Sequence, residues 1–182
     1  ASNNTGVGYL ALNANTTGDS STAVGKDSMK TNTTGRFNSA FGYESLALNT
    51  TGANNTALGK AALYSNTTAS NNTAVGFQAL IANTTASNNT AVGFEALKDN
   101  TTGVENVGIG VAALGGVTTG YENIGIGRNT GEGITTGFRN TFIGDDAGYL
   151  ITGGNNNTII GRFTGNQGGL DIRTSSNNIV LS

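Results

Sequence analysis

The sequence predicts an all-β fold, a parallel β-solenoid (β-roll) of ten 17-residue coils, and three observations carry that prediction. The first is an unbroken period. Gly8, Gly25, Gly42, Gly59, Gly76, Gly93, Gly110, Gly127, Gly144 and Gly161 each follow the last by 17 residues, and self-similarity at a fixed short period marks a stacked array. The second is the constant chemistry around each glycine. Asn precedes it by four residues in every unit but one, where Ser21 stands; an apolar residue precedes it directly, from Val7 to Ile160; Thr follows eight residues later, from Thr16 to Thr152. The third is composition: 29 Gly, only 11% charged residues, and no Pro, Cys, His or Trp. In a stack each residue lies on its own kind, so Asn and Thr columns gain hydrogen bonds while like charges would repel.

The unit 71–87 reads NNTAVGFQALIANTTAS. Helices fail on propensity, because Asn, Thr and Gly crowd every unit and apolar residues do not recur at helical spacing. Two short strands joined by two turns are expected instead. The first is Asn-Thr-Ala-Val-Gly; the second runs through the Ala-Leu pair toward Asn-Thr-Thr. Gly, Asn and Ser supply the turns. Ten such coils would stack to about 48 Å at about 4.8 Å per strand. Alternation along the first strand sets Thr73 and Val75 on one face and Asn72 and Ala74 on the other. The bulkier face is expected to meet the Leu column inside the roll. That leaves Gly6, Ala23, Ala40, Ala57, Ala74, Ala91, Gly108 and Gly125 as an outer strip smooth enough to seat another subunit.

Residues 3–165 are read as the array, with a change of subtype near Val104. The column Leu12, Met29, Leu46, Leu63, Leu80, Leu97, Leu114 ends in Gly131, Gly148 and Gly165. Three positions on, Asn gives way to Val117, Ile134 and Ile151, and the small column grows to Phe142 and Ile159. Apolar volume is thereby moved within the coil rather than lost. Residues 166–182 are read as an irregular loop and a terminal strand, leading to a missing C-terminal region. Both ends cut the pattern, so a fragment of a longer fibrous protein is expected, or ends that another chain covers.

Several functions lose their chemistry. Without His or Cys there is no zinc finger, iron–sulfur site, thiol nucleophile or His-based triad. The Ser and Thr hydroxyls have no base to activate them, and no carboxylate pair recurs. The expectation is no catalysis, no cofactor and no metal. Asp145 and Asp146 are the only adjacent acids, and calcium rolls place Asp in every repeat, so a turn role is favoured. A net charge of -2 with no basic run argues against nucleic acid. No apolar run approaches the roughly 20 residues of a membrane span.

One strip is a candidate contact surface. Tyr9, Lys26, Tyr43 and Lys60, continued by Phe77 and Phe94, directly follow successive key glycines. They suit a cation–π ladder or a surface on which sugars stack, and a packing column is the favoured reading. Tyr121 and Phe138 are one coil apart and read as packing; Glu122 can pair with Arg139. Asn15, Asn32, Asn49, Asn66, Asn83 and Asn100 each open a glycosylation sequon, read here as a stacked polar corner.

The NNTAVGFQAL…NTTG pattern resembles the repeat regions of bacteriophage tail fibres, which often precede an endosialidase-type intramolecular chaperone domain. The closing segment from Arg173 to Ser182, RTSSNNIVLS, looks like the link before that domain. The NVGIG and NIGIG segments, at Asn106 to Gly110 and Asn123 to Gly127, are similar to the head repeats of YadA-like trimeric adhesins. The resemblance implies a left-handed roll assembled as a parallel homotrimer, although those heads use a shorter repeat. It further implies a structural and receptor-binding fibre segment of a virion or bacterial cell surface. The partners would be copies of itself and a host cell-surface receptor, glycans included. An ice-binding solenoid is the alternative, since ranks of Thr at strand spacing can order water.

Overall fold

A computed structural model describes residues 1–182. It is an all-β parallel solenoid without helices. Ten three-residue strands recur at the 17-residue period: β1 (Thr5–Val7), β2 (Thr22–Val24), β3 (Ser39–Phe41), β4 (Thr56–Leu58), β5 (Thr73–Val75), β6 (Thr90–Val92), β7 (Val107–Ile109), β8 (Ile124–Ile126), β9 (Thr141–Ile143) and β10 (Thr158–Ile160). After β10 a small hairpin projects, β11 (Asn166–Gln167) with β12 (Leu170–Asp171), and β13 (Ile179–Leu181) then returns to the stack. The main sheet has 11 parallel strands in chain order, with β13 next to β10. Its register places like on like, such as Thr73 beside Thr90 and Ala74 beside Ala91.

The expected second strand does not form. Residues 76–82 and their equivalents make consecutive turns, with hydrogen bonds from Ala62 N–H to Gly59 O, from Tyr64 N–H to Ala61 O and from Asn66 N–H to Leu63 O. Positive φ recurs at every second residue there, for example Gln78 at 55° and Leu80 at 53°. A 17-residue coil must turn a full circle, and sharp bends at alternate residues close it where a second extended strand would not. Only 22 of the 118 backbone hydrogen bonds belong to the strands, so the turns carry most of the bonding between coils. The roll therefore has one sheet, not two.

The faces of the strand are also the reverse of the expectation. Ala23, Ala40, Ala57, Ala74 and Ala91 are fully buried against Met29, Leu46, Leu63, Leu80 and Leu97. The Thr and Val, Leu or Ile positions point outward. Volume decides this. A Cβ added at Gly125 would lie 2.7 Å from Leu114 Cγ and one at Gly108 3.2 Å from Leu97 Cγ, so the space opposite the Leu column is filled by Ala in the earlier coils and by Gly in these two. The strip of small residues is core, and it cannot seat a partner.

The exchange of volume after the subtype change is real. A Cβ at Gly131 would meet Phe142 Cδ2 at 2.5 Å, and one at Gly148 would meet Phe142 Cδ1 at 2.6 Å. The Phe142 ring thus fills space that two Leu side chains would otherwise take. Val117, Ile134 and Ile151 are fully buried where Asn stood before.

Both Asn columns lie inside. In the first, each Oδ1 accepts the backbone N–H one coil on, as Asn72 does from Asn89 at 2.9 Å. Its Nδ2 donates to a turn carbonyl, Ala86 O, at 2.9 Å. In the second, Asn49 Nδ2 donates to Asn32 Oδ1 and Asn66 Nδ2 to Asn49 Oδ1, both at 2.8 Å. Asn32, Asn49, Asn66, Asn83 and Asn100 are fully buried. From Asn32 to Asn100 the sequon asparagines are interior rungs, with no room for a glycan, and Asn15 at the end of the ladder is half-buried.

Candidate functional site

Four surfaces of the rod carry chemistry, three built by columns of the repeat and the fourth by a break in its period. The outer face of the sheet is the largest. Its two outward positions per strand are Thr, Ser, Val or Ile and then Val, Phe, Leu or Ile, and no charged residue occurs in either along β1–β10 and β13. Val7, Phe41, Leu58, Ile109, Ile126 and Ile160 are exposed. An uncharged apolar stripe running the length of a rod is far more than scattered surface residues require.

Along one border of that face runs the predicted strip. Lys26 Nζ lies 5.9 Å from the Tyr9 ring and 5.2 Å from Tyr43; Lys60 Nζ lies 5.8 Å from Tyr43 and 5.6 Å from Phe77. Phe77 then stacks on Phe94 at 5.2 Å and 9°. The four residues singled out, Tyr9, Lys26, Tyr43 and Lys60, are thus one continuous ladder of alternating cations and rings. Tyr43 and Phe77 have a ladder partner on each side, whereas Tyr9 at the end has one and is 67% exposed. Lys26 also donates to Asp27 at 3.0 Å, and that hydrogen bond, reinforced by the Asp27 charge, raises its pKa.

The same column continues as an ion ladder. Arg128 reaches Asp145 at 2.9 Å and Asp146 at 3.4 Å, and Arg162 reaches Asp146 at 3.3 Å. The hydrogen bond to Asp145 leads in raising the Arg128 pKa. Asp145 and Asp146 are therefore held by arginines. Arg139 donates to Glu122 at 2.7 Å, as their spacing implied, and Tyr121 stacks on Phe138 at 4.8 Å. Exposed pairs of this kind are screened by solvent and add little to stability.

At the Asn-Thr-Thr corner the two Thr ranks differ. The first hydroxyl donates to a carbonyl of the next coil, as Thr33 to Thr50 O at 2.9 Å and Thr67 to Thr84 O at 3.0 Å. The second rank, including Thr34, Thr51, Thr68 and Thr85, is exposed. At these two positions only one rank is free.

The fourth surface is concave and lies where the period breaks. Asn157 and Asn178 pair across 21 residues instead of 17, and the excess is taken up by the β11–β12 hairpin. Gly168 and Gly169, at φ 60° and 87°, form its two-residue loop, which suits a twisted hairpin. Beside it a cleft of about 430 Å³ is lined by Leu150, Thr152, Asp171, Arg173 and Thr174. A second hollow, bordered by Glu132, Gly133 and Tyr149, shares Leu150 and Thr152 with it. Arg173 grips Asp171 with Nε at 2.9 Å and Nη2 at 2.7 Å. With the Arg173 backbone N–H, this fork pulls the Asp171 carboxyl below its ordinary pKa. The sequence predicts only a loop here, and the cleft is not legible in it. The Gly-Gly between two extended pairs was the available signal.

Comparison of the chain with protein-family models, with curated proteins and with solved structures gave no match in any of the three.

Proposed function

We propose that this chain is a structural, receptor-contacting segment of a phage tail fibre or bacterial surface adhesin, a parallel homotrimer of left-handed rolls without catalytic activity. The observation that carries the reading is the uncharged apolar outer face of the sheet, which spans all 11 strands. In a fibre, three such faces turned to a common axis remove that surface from water, at about 25 cal/mol per Å² of apolar area. The threefold symmetry and the hand come from the resemblance to adhesin heads. The need for a partner comes from the outer face, in place of the Ala and Gly strip that the core has absorbed. Parallel stacking then makes a stiff rod, and three copies multiply weak contacts with a cell surface.

Two measurements test this. Light scattering is expected to return three times 18.3 kDa, and Leu58→Asp with Val75→Asp is expected to dissociate the assembly while the circular dichroism stays that of a folded chain. A wild-type monomer at micromolar concentration overturns the trimer. Fluorescently labelled protein is expected to bind intact bacteria saturably and to be displaced by unlabelled protein; absence of binding across a broad strain panel defeats the receptor-contact reading. The ice-binding alternative is disfavoured because one Thr rank of the Asn-Thr-Thr segment is spent on backbone bonding and the outward Thr rank of the sheet shares its face with Val, Leu, Ile and Phe.

A further inference from the structure

We infer that the cleft beside the β11–β12 hairpin binds a neutral pyranose ring, an inference that rests on the proposed cell-surface role. The rod elsewhere presents flat or ridged ladders, and this hollow exists because four extra residues leave the coil and stand over the preceding turn. Its size is within the range of small-ligand sites.

The cleft and the hollow that adjoins it through the shared Leu150 and Thr152 together supply the three things that a sugar ring needs, Tyr149 standing on the hollow's side. The first is an aromatic face. Tyr149 is 39% exposed and takes part in no ring stack or cation contact, unlike the rings of the ladder. The second is a fixed donor–acceptor pair. Arg173 holds Asp171 with Nε and Nη2, so its Nη1 remains a donor beside a carboxylate that still has accepting lone pairs. Adjacent sugar hydroxyls present that donor–acceptor pattern in reverse. The third is a wall that is already in place. Thr152 N–H donates to Arg173 O at 2.9 Å, and its hydroxyl reaches the same oxygen at 3.4 Å, tying the coil to the hairpin stem. Ile172, between the two ion-paired residues, is buried in the core and anchors the hairpin from below.

Charge selects among sugars. Arg173 is matched by Asp171, and Glu132 adds a further negative charge at the border. An acidic sugar would meet net repulsion, whereas a neutral ring loses nothing.

The experiment is a backbone amide NMR titration of the 182-residue chain with glucose, galactose and N-acetylglucosamine in turn, each to millimolar concentration. At least one is expected to shift resonances confined to 149–152 and 171–174. Tyr149→Ala and Arg173→Ala are each expected to weaken that sugar about tenfold, with the remaining spectrum unchanged as proof of folding, while Tyr43→Ala leaves it bound. No shift with any of the three sugars, shifts located elsewhere, or unaltered binding by Tyr149→Ala overturns the inference. The cell-binding assay separates the two readings. Cells bound without sugar shifts remove the cleft and leave the fibre standing; sugar shifts without cell binding do the opposite.

Discussion

The buried Oδ1 of Asn100 has no hydrogen-bond partner, and Val117 occupies the place one coil on from which a donor would reach it. The inner amide ladder runs one way: each Nδ2 donates backward, from Asn32 to Asn15 and on through Asn100 to Asn83. Such a ladder must end on an unmade acceptor. Val117→Asn supplies Asn100 with its donor and hands the orphan oxygen to the new residue facing Ile134. Urea unfolding is therefore expected to show a change within about 1 kcal/mol. Ile134→Asn has no amide below it to join and is expected to cost about 2 to 4 kcal/mol. Equal costs for the two would remove the ladder from the account of this junction.

Phe142 and Gly148 compete for one space. Leu at position 148 finds a left-handed backbone that Leu80 and Leu97 already tolerate, but its Cβ would lie against the Phe142 ring. Gly148→Leu alone is expected to cost about 3 kcal/mol through overpacking. Phe142→Ala alone is expected to cost about 3 to 5 kcal/mol through the cavity it leaves. The double variant should recover at least about 2 kcal/mol of their sum. Simple additivity in denaturant melts would show that the two positions do not share a volume.

Ser21 is the single gap in the outer Asn column. Its Oγ accepts the Asn38 N–H at 3.1 Å, replacing an amide oxygen, but it has no Nδ2 to donate to Gly35 O as Asn38 does to Gly52 O at 2.8 Å. Ser21→Asn is expected to add about 1 kcal/mol of stability, read as a higher melting temperature. A lower one would mean that the second coil is shaped differently from the rest.

Acid should release the hairpin fork late. The folded Asp171 carboxyl lies below its ordinary value of 3.8 because Arg173 bonds to its charged form. A depressed carboxylate contributes its full stabilisation above the unfolded value and loses it only as pH falls through the lower, folded one. Carbon-detected titration of the Asp171 carboxyl is expected to give a midpoint below 3.8, moving up toward 3.8 in Arg173→Ala. A wild-type midpoint at or above 3.8 contradicts the fork.

The candidate surfaces were unequally legible. Tyr9, Lys26, Tyr43 and Lys60 could be aligned from spacing alone, because a stack converts a sequence interval into a contact. The pair Glu122 and Arg139 was found the same way. Leu150, Thr152, Asp171 and Arg173 could not be, because they line one cleft across a break in the period, where interval no longer predicts neighbour.

What the sequence by itself determined is therefore the stacking: the parallel coils, the Asn ladders, the like-on-like columns and the place where apolar volume is exchanged. These depend on separation along the chain, and a constant separation of 17 residues leaves only one register in which all the glycines, asparagines and threonines coincide. Only the tertiary structure decided which side of each strand faces inward. Alternation separates Thr73 and Val75 from Ala74 without saying which set is buried. The interior opposite Leu80 is too narrow for Val and holds an Ala, so hydrophobic Val75 is turned outward and small Ala74 becomes core. The width of a coil is set by how its turns close, through alternate left-handed residues such as Gln78 and Leu80. That closure is a property of the whole ring of residues, which no single interval in the sequence records.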